Sequence, residues 1–427
     1  MPRPLAVIVL AAGLGTRTKV SIPKVLLPLC GRTLLGTVLD TVADLTPDRT
    51  VVVLHHGKDE IERTLADRSG LTIVDQGEPR GTGHAVQVAM HALEGFEGDV
   101  MVVYGDVPLI TVDTLVELRA SRGDHGVSVL TALPDDPTGL GRILRDADDE
   151  FVGIREERDC SDDELAIPEI NAGIYCYDAA VLRPLLEGLS DDNAQRELYL
   201  TDTIQALLED GRTAIAVEVA DAEEVSGIND LRQLAIATDL MRERILLQHL
   251  ANGVCIEDPA TTFIDHGVEI GRDTRILPCT VIRSGVVIGE NCEIGPFSHL
   301  RVGTVLEERA EIGNFVETKK TRIGVGTKAK HLTYLGDAEI GAGANIGCGT
   351  ITANYDGKNK FRTVIGDGAF VGSGTVLVAP STMGARSMTG AGAIVTRETK
   401  IEADEVWVGV PAKRLRERTS ARDGGQS

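Results

Sequence analysis

Two rhythms of apolar positions divide the chain. In the first half, short aliphatic runs recur at Leu5 to Leu10, Val51 to Leu54, Leu71 to Val74, Asp99 to Tyr104, Gly126 to Leu130 and Ile170 to Tyr175. Helical spacing lies between several of them, as in Leu34 to Thr41 and His84 to Leu93. This alternation predicts a mostly parallel sheet with helices on both faces. Ligands bind such sheets beyond the carboxyl ends of the strands, so the polar residues that follow each run carry the chemical interest.

From about Val268 the period becomes six. Ile270-Gly271, Ile288-Gly289 and Ile294-Gly295 share one register, which Ile276, Ile282, Leu300, Leu306 and Ile312 continue. After a shift the pattern resumes at Ile340-Gly341 and Ile346-Gly347, and a third register runs through Ile365, Val371, Leu377 and Met383. Neither a helix nor a flat sheet needs that period. A parallel β-helix does, because each side of its triangular coil takes about six residues, with one aliphatic side chain inward and a small residue at the turn. Between the halves, Leu231, Leu234, Ile245, Leu246 and Leu250 have helical spacing and predict one long joining helix from Asn229 to Leu250. The expected order is an α/β domain over 1–228, the helix over 229–250, a β-helix over 251–413 and a polar, disordered tail over 414–427.

Composition narrows the function. A chain of 427 residues is too long for one core. Only 3% of its residues are aromatic and 47 are Gly, which implies small, branched core residues and many tight turns. With 43 basic and 65 acidic residues the formal net charge is −22, which argues against a nucleic-acid-binding surface but leaves room for a local basic pocket. Seven scattered cysteines without a C-x-x-C pair suit a reducing compartment, and neither a disulfide framework nor a thiolate metal site. The opening MPRPLAVIVLAAG reads as a first strand running into a glycine loop rather than a secretory leader. No stretch is long enough to cross a bilayer, so a cytoplasmic protein without membrane insertion is expected.

The first chemical constellation is L-A-A-G-L-G-T-R-T-K-V-S-I-P-K, from Leu10 to Lys24. Gly13 and Gly15 let backbone amides approach a phosphate chain, and Arg17 and Lys24 can neutralise its oxygens. A tight strand-to-helix turn with incidental basic residues would look similar. The loop has neither the Gly-Lys-Ser/Thr of a Walker A motif nor the third glycine of a dinucleotide fingerprint.

This loop resembles the signature of sugar-nucleotide pyrophosphorylases. Together with the six-residue repeats, the chain from about residue 5 to 410 resembles the bacterial bifunctional N-acetylglucosamine-1-phosphate uridyltransferase/glucosamine-1-phosphate acetyltransferase family. Thr18 stands where that family usually has Met. The resemblance implies a Rossmann-like nucleotidyltransferase domain followed by a left-handed parallel β-helix with hexapeptide repeats. It implies a homotrimer acting on glucosamine-1-phosphate, N-acetylglucosamine-1-phosphate, UTP and acetyl-CoA, with Mg²⁺. Leu10, Ala11, Gln76, Gly81, Thr82, Tyr104 and Gly105 would then line the nucleotide site, with Gln76 and the Gly81–Thr82 stretch at the uracil. Asp106 and Asn229 would be metal ligands, although either could instead cap a helix. Gly141, Glu156 and Asn171 would bind the sugar.

The same resemblance assigns a second site. N-F-V-E-T-K-K, H-L-T-Y-L-G-D and N-Y-D-G-K-N-K-F-R-T place polar residues where the repeat otherwise favours small and aliphatic ones, and the last string reads as a loop pushed out of the coil. His331 would be the general base and Glu317 its polarising partner. Arg301 and Lys319 would bind the sugar phosphate, and Tyr334, Asn345 and Lys360 the sugar and the pocket wall. Asn354, Tyr355, Ser373, Gly390 and Lys413 would contact acetyl-CoA, Ser373 near the thioester carbonyl. A single-function nucleotidyltransferase whose β-helix only assembles an oligomer, a non-catalytic sugar-nucleotide sensor, and an acetyltransferase acting on an amino-sugar nucleotide are the competing readings.

Overall fold

The computed structural model describes residues 3–13 and 15–417. It divides into two compact units, Met1–Thr238 and Asp239–Ser427.

The first unit is a nine-stranded sheet. Its strands are β1 (Leu5–Leu10), β2 (Arg49–Leu54), β3 (Leu71–Asp75), β4 (Asp99–Tyr104), β5 (Val127–Ala132), β6 (Arg142–Arg145), β7 (Phe151–Arg155), β8 (Ile170–Asp178) and β9 (Ala214–Glu218). The main order is β9-β5-β8-β4-β1-β2-β3. Only β8 in this path runs antiparallel to its neighbours. The hairpin β6–β7 hangs from β8; neither it nor β9, whose Ala214 to Val217 is an apolar run, was among the expected strands. Strand β1 is buried at every position. Leu5, Val7 and Val9 pack into one core while Ala6, Ile8 and Leu10 pack into another, which is the two-residue period of a sheet covered on both faces. Because β2 lies on one side of β1 and β4 on the other, the strand order reverses there and leaves a crevice beyond Leu10 and Tyr104.

The second unit is a left-handed parallel β-helix. Ile270 pairs with Ile288, Ile288 with Leu306, and Ile365 with Met383, so one coil takes 18 residues. The shift of register after Ile312 is a coil shortened to 17 residues, with Leu306 opposite Ile323 and Ile312 opposite Ala329. Glycine follows the inward aliphatic residue because the next coil lies too close for a side chain: a Cβ on Gly271 would sit 2.6 Å from the Glu290 nitrogen. Buried threonines satisfy the corners, as where Thr274 Oγ1 donates to the Gly289 carbonyl at 2.8 Å. Ile340 and Ile365 are register partners 25 positions apart, so the extra residues between them leave the coil as a loop.

The helix Leu231–Ala251 runs through the boundary between the units. The tail expected to be disordered from Arg414 instead starts as a strand. Lys413–Glu417 pairs antiparallel with Glu405–Val408, and Arg414 meets Glu405 at 2.9 Å. The exposed backbone edge of the last coil offers that strand its hydrogen bonds. Residues 418–427 lie outside the described residues.

Candidate active sites

A cleft of about 300 Å³ opens at the crevice between β1 and β4. It is lined by Leu10, Ala11 and Gly13, by Lys24 and Asp106, by Gln76, Gly81 and Thr82, and by Tyr104. Gly105 closes onto the same strand ends, its N–H donating to the Leu10 carbonyl at 2.9 Å. Gly15 adopts φ 62°, and a Cβ there would press on the Lys24 side chain. The Gln76 carboxamide donates to the Gly81 carbonyl at 3.0 Å. Gly81 has φ 105° and ψ 176°, and the helix Thr82–Ala92 starts from it. Thr82 Oγ1 accepts from the Leu200 N–H at 3.2 Å, which ties this wall to a segment more than a hundred residues away.

The cations and the proposed metal ligands form one cluster. The Lys24 ammonium donates to Asp106 Oδ2 and, at 3.1 Å, to Asn229 Oδ1. Arg17 donates to the same Asn229 oxygen at 2.8 Å. The side chains of Lys24 and Asp106 are only 9% and 18% exposed, so their charges depend on each other. Asn229 comes within reach because the Ile228 N–H donates to the Asp106 carbonyl at 2.9 Å. The capping role belongs to its neighbour: Asp230 accepts from the Gln233 N–H at 2.8 Å, which leaves the Asn229 carboxamide facing the cations.

Among the described residues, no group of three or more His, Cys, Asp or Glu is arranged to hold a metal ion. One carboxylate and one carboxamide oxygen suit a hard, oxygen-seeking cation whose remaining ligands are water and substrate phosphates. The donor set fits Mg²⁺ on those terms.

Gly141, Glu156 and Asn171 are neighbours of one another, a Cβ on Gly141 falling 3.6 Å from the Glu156 carboxylate, and Glu156 lies near Tyr104. The Asn171 N–H donates to the Gly141 carbonyl at 2.8 Å. Glu156 accepts from Thr201 Oγ1 at 2.9 Å, and burial raises its carboxyl above the usual range. Asn171 is spent on the fold: it donates to the Tyr175 hydroxyl at 2.7 Å and accepts from the Gly173 N–H at 2.9 Å. Gly173, at φ 75°, lies so close under the Tyr104 ring that a Cβ would be 2.7 Å from it.

On the β-helix, Arg301 donates to Glu317 at 2.6 Å. The Lys360 ammonium, and next the Arg301 guanidinium, push the Lys319 ammonium below the usual lysine range. Glu317, paired with Arg301, and Asp337, which acts on Lys319, are the anions already beside these three cations. Lys360 comes from the expelled loop, where it bridges Tyr355. The loop is closed at its base, where the Phe361 N–H donates to the Asn354 carbonyl at 2.8 Å, and held further along. Asn354 donates to Asp337, and Asp356 accepts from the Lys358 and Asn359 N–H groups and from Arg397.

Other residues of this second site stand apart within one chain. Glu317 is the register partner of Tyr334, but His331 is the partner of Asn314, before the coil corner at Phe315 (φ 55°) and Leu332 (φ 44°). His331 and Glu317 therefore flank a corner of the prism. Ser373 turns at the same corner further along, its carbonyl accepting from the Gly392 N–H at 2.7 Å. Asn345 pairs with Lys328 on the face before that corner. Gly390 packs against Val408, and Lys413 pairs with Val408 on the added strand.

Several residues that shape the sites escaped the sequence reading. Pro79 and Glu197 line the cleft at the β1–β4 crevice, Thr201 holds Glu156, and Asp337 and Asp356 hold the loop. Exposed Cys348 occupies the corner between the coils of His331 and Ser373. Only Asp337 and Asp356 lay inside strings that stood out from the repeat.

Comparison with known proteins agrees with this two-part layout. A MobA-like NTP transferase domain matches residues 7–208, and a bacterial transferase hexapeptide model of six repeats matches residues 267–301. The bifunctional protein GlmU of Synechococcus sp. (strain CC9605) is 44% identical over 431 residues, covering 92% of this chain and 94% of that protein. That of Trichlorobacter lovleyi is 42% identical, covering 92% and 93%. That of Pseudarthrobacter chlorophenolicus is 44% identical, covering 96% and 91%.

Proposed function

This chain belongs to the bifunctional GlmU family, and from that premise we propose that it makes the amino-sugar nucleotide of cell-wall synthesis in two steps on two units. The β-helix N-acetylates glucosamine-1-phosphate with acetyl-CoA. The α/β unit then transfers uridylyl from UTP to N-acetylglucosamine-1-phosphate and releases pyrophosphate. The observation that supports this reading is the presence, in one chain, of two cation groups in separate units: Lys24 and Arg17 meeting at Asn229, and Arg301 and Lys360 close enough to act on Lys319.

In uridylyl transfer, a phosphate oxygen of the sugar attacks the α-phosphorus and the bond to the bridging oxygen of pyrophosphate breaks. No protein nucleophile is needed, since the attacking phosphate is already ionised. Gly13 and Gly15 let the backbone approach the triphosphate, and Arg17 and Lys24 neutralise the departing pyrophosphate. Gln76 and the Gly81–Thr82 turn hold the uracil, and Glu156 and the Gly141 backbone hold the sugar. Asp106 and Asn229 hold Mg²⁺, which when bound orients phosphate oxygens and withdraws charge from them.

In acetyl transfer, Arg301, Lys319 and Lys360 bind the sugar phosphate and leave the 2-amine to react. His331 takes a proton from that amine, because an ammonium cannot attack a thioester. The C–N bond forms, the C–S bond breaks, and coenzyme A leaves as its thiol. Ser373 donates to the carbonyl oxygen as charge develops there, and Asn354, Tyr355, Gly390 and Lys413 lie along the cofactor.

A homotrimer completes this second site. The corner that separates His331 from Glu317 also exposes a ridge of Phe297, Phe315 and Leu332, with the two phenyl rings stacked at 5.2 Å. An apolar edge of this kind calls for cover by another protein surface. The cytoplasm is the compartment we propose; among the described residues no helix is long and apolar enough to span a membrane.

Incubating the purified chain with acetyl-CoA, glucosamine-1-phosphate, UTP and Mg²⁺, then weighing every product, tests the whole reading. N-acetylglucosamine-1-phosphate, its uridine diphosphate derivative, free coenzyme A and pyrophosphate are expected. Product from only one step would leave a single-function enzyme. The Asp106→Ala variant should lose uridylyl transfer and keep acetyl transfer, because the two clusters lie in separate units.

A further inference from the structure

Lys24 has two possible partners, and the geometry shows that they conflict. Its ammonium donates to Asp106 Oδ2 and Asn229 Oδ1, the same two oxygens assigned above to the metal ion. Its side chain is 9% exposed, so the ammonium needs those oxygens as much as they need a cation. Arg17 adds a second positive charge on Asn229 Oδ1. A divalent cation entering between Asp106 and Asn229 meets an oxygen pair already claimed by two cations, at short range and in a partly dry site. Like charges at such distances repel strongly where water is scarce.

We propose that Lys24 and the divalent cation are alternative occupants of the Asp106–Asn229 oxygen pair, and that nucleotide binding moves Lys24 from one role to the other. This rests on the reading of Asp106 and Asn229 as metal ligands. A triphosphate in the cleft offers Lys24 and Arg17 new anionic partners, since both stand at the edge of the Gly13–Gly15 loop. Lys24 can then leave the oxygen pair without stranding its charge, and the oxygens become available. Metal and nucleotide thus favour each other's binding, and Lys24 carries part of that coupling. By linkage the same factor acts in both directions. The device prevents the cation from settling on the enzyme ahead of the phosphates it must act on.

The test uses Mn²⁺ alone as the probe, with free Mn²⁺ followed by electron paramagnetic resonance on the full chain. Lys24→Gln should bind Mn²⁺ at least tenfold more tightly than wild type, while Lys24→Arg, which keeps the charge, should stay close to wild type. Adding α,β-methylene-UTP should tighten Mn²⁺ binding to the wild type, and that gain should shrink about tenfold in Lys24→Gln. Arg17 is exposed and can be replaced without burying a defect, so Arg17→Gln should tighten Mn²⁺ binding severalfold even if Lys24→Gln folds poorly. Equal Mn²⁺ affinity of the wild type and both Gln variants, including no binding to any of them, overturns the competition. Adding Asp106→Asn to Lys24→Gln separates the two levels of the argument. Lost Mn²⁺ binding in that double variant places the ion on Asp106, whereas retained binding overturns the metal-ligand reading itself.

Discussion

Gly81→Ala puts the nucleotide cleft to its sharpest steric test. Gly81 holds φ 105° and ψ 176°, a backbone region that side-chain-bearing residues essentially avoid, at a cost of about 1–3 kcal/mol. The added Cβ would also lie 2.5 Å from the Leu198 carbonyl oxygen and 2.9 Å from the Leu198 nitrogen. Both are backbone atoms and neither can retreat cheaply. The Leu198 N–H donates to the Arg80 carbonyl at 2.7 Å, and its carbonyl accepts from the Gly83 N–H at 2.8 Å. Weakening these two bonds adds about 1–2 kcal/mol, at about 1 kcal/mol each. The combined penalty of about 2–5 kcal/mol is a large part of a domain's stability, so part of it will be relieved by shifting the turn. That shift carries along Gln76, whose carboxamide is bonded to the Gly81 carbonyl. A displacement of about 1 Å in a positioning group costs on the order of a hundredfold in rate. We therefore expect kcat/KM for UTP to fall about a hundredfold and the melting transition of the first unit to drop, with acetyl transfer unchanged. Wild-type kcat/KM for UTP together with an unshifted melting curve would refute the steric account of this wall.

Gly13→Ala is the complementary case: its Cβ would meet nothing within 4 Å, so the melting temperature should hold while uridylyl transfer falls if a phosphate packs against that backbone. Lys319→Ala removes one of three crowded cations, so KM for glucosamine-1-phosphate should rise roughly tenfold or more, less so at high salt, with uridylyl transfer unaffected. His331→Ala should slow acetyl transfer by roughly 10²–10⁴-fold at neutral pH, with residual activity rising at higher pH, and a wild-type rate would remove His331 from the mechanism. The Lys358 and Asn359 N–H groups and Arg397 hold the Asp356 carboxyl at about 2, below its ordinary 3.8. Its hold on the loop is complete above 3.8 and lost as pH falls through about 2. Asp356→Asn should therefore speed amide exchange in the loop at pH 7, and the gap from wild type should narrow as the pH falls from about 4 toward 2.

The legible parts of the chain were those whose physics is local. A strand buried on both faces is apolar along its length, so Leu5–Leu10 and the stretch Val100 to Val103 announced themselves. The hairpin β6–β7 hangs off the main sheet, and its short strands carry too few apolar positions to read, whereas the edge strand β9 does contain an apolar run, Ala214 to Val217, that the reading passed over. The tail strand Lys413–Glu417 is exposed at every position and leaves no apolar trace. Its existence depends on the open edge of the coil beneath it, which no window of its own sequence contains.

The two sites divide along the same line. Glycines in the loop after β1, a carboxylate after a buried strand and polar strings inside a repeat are properties of short segments, and the residue order alone determined them. The 18-residue coil was likewise written in the spacing of its inward aliphatic residues, because each coil repeats the packing of the one before. Tertiary structure alone decided which distant residues share an atom. Lys24 and Asn229 are separated by more than 200 positions; the reversal of strand order at β1 sets the loop beside the carboxylate, and the Ile228–Asp106 backbone bond brings in the carboxamide. It also separated groups that lie close in sequence. Glu317 and His331 are 14 positions apart, yet a coil corner stands between them, because a β-helix returns a residue to its neighbour's position only after a full turn.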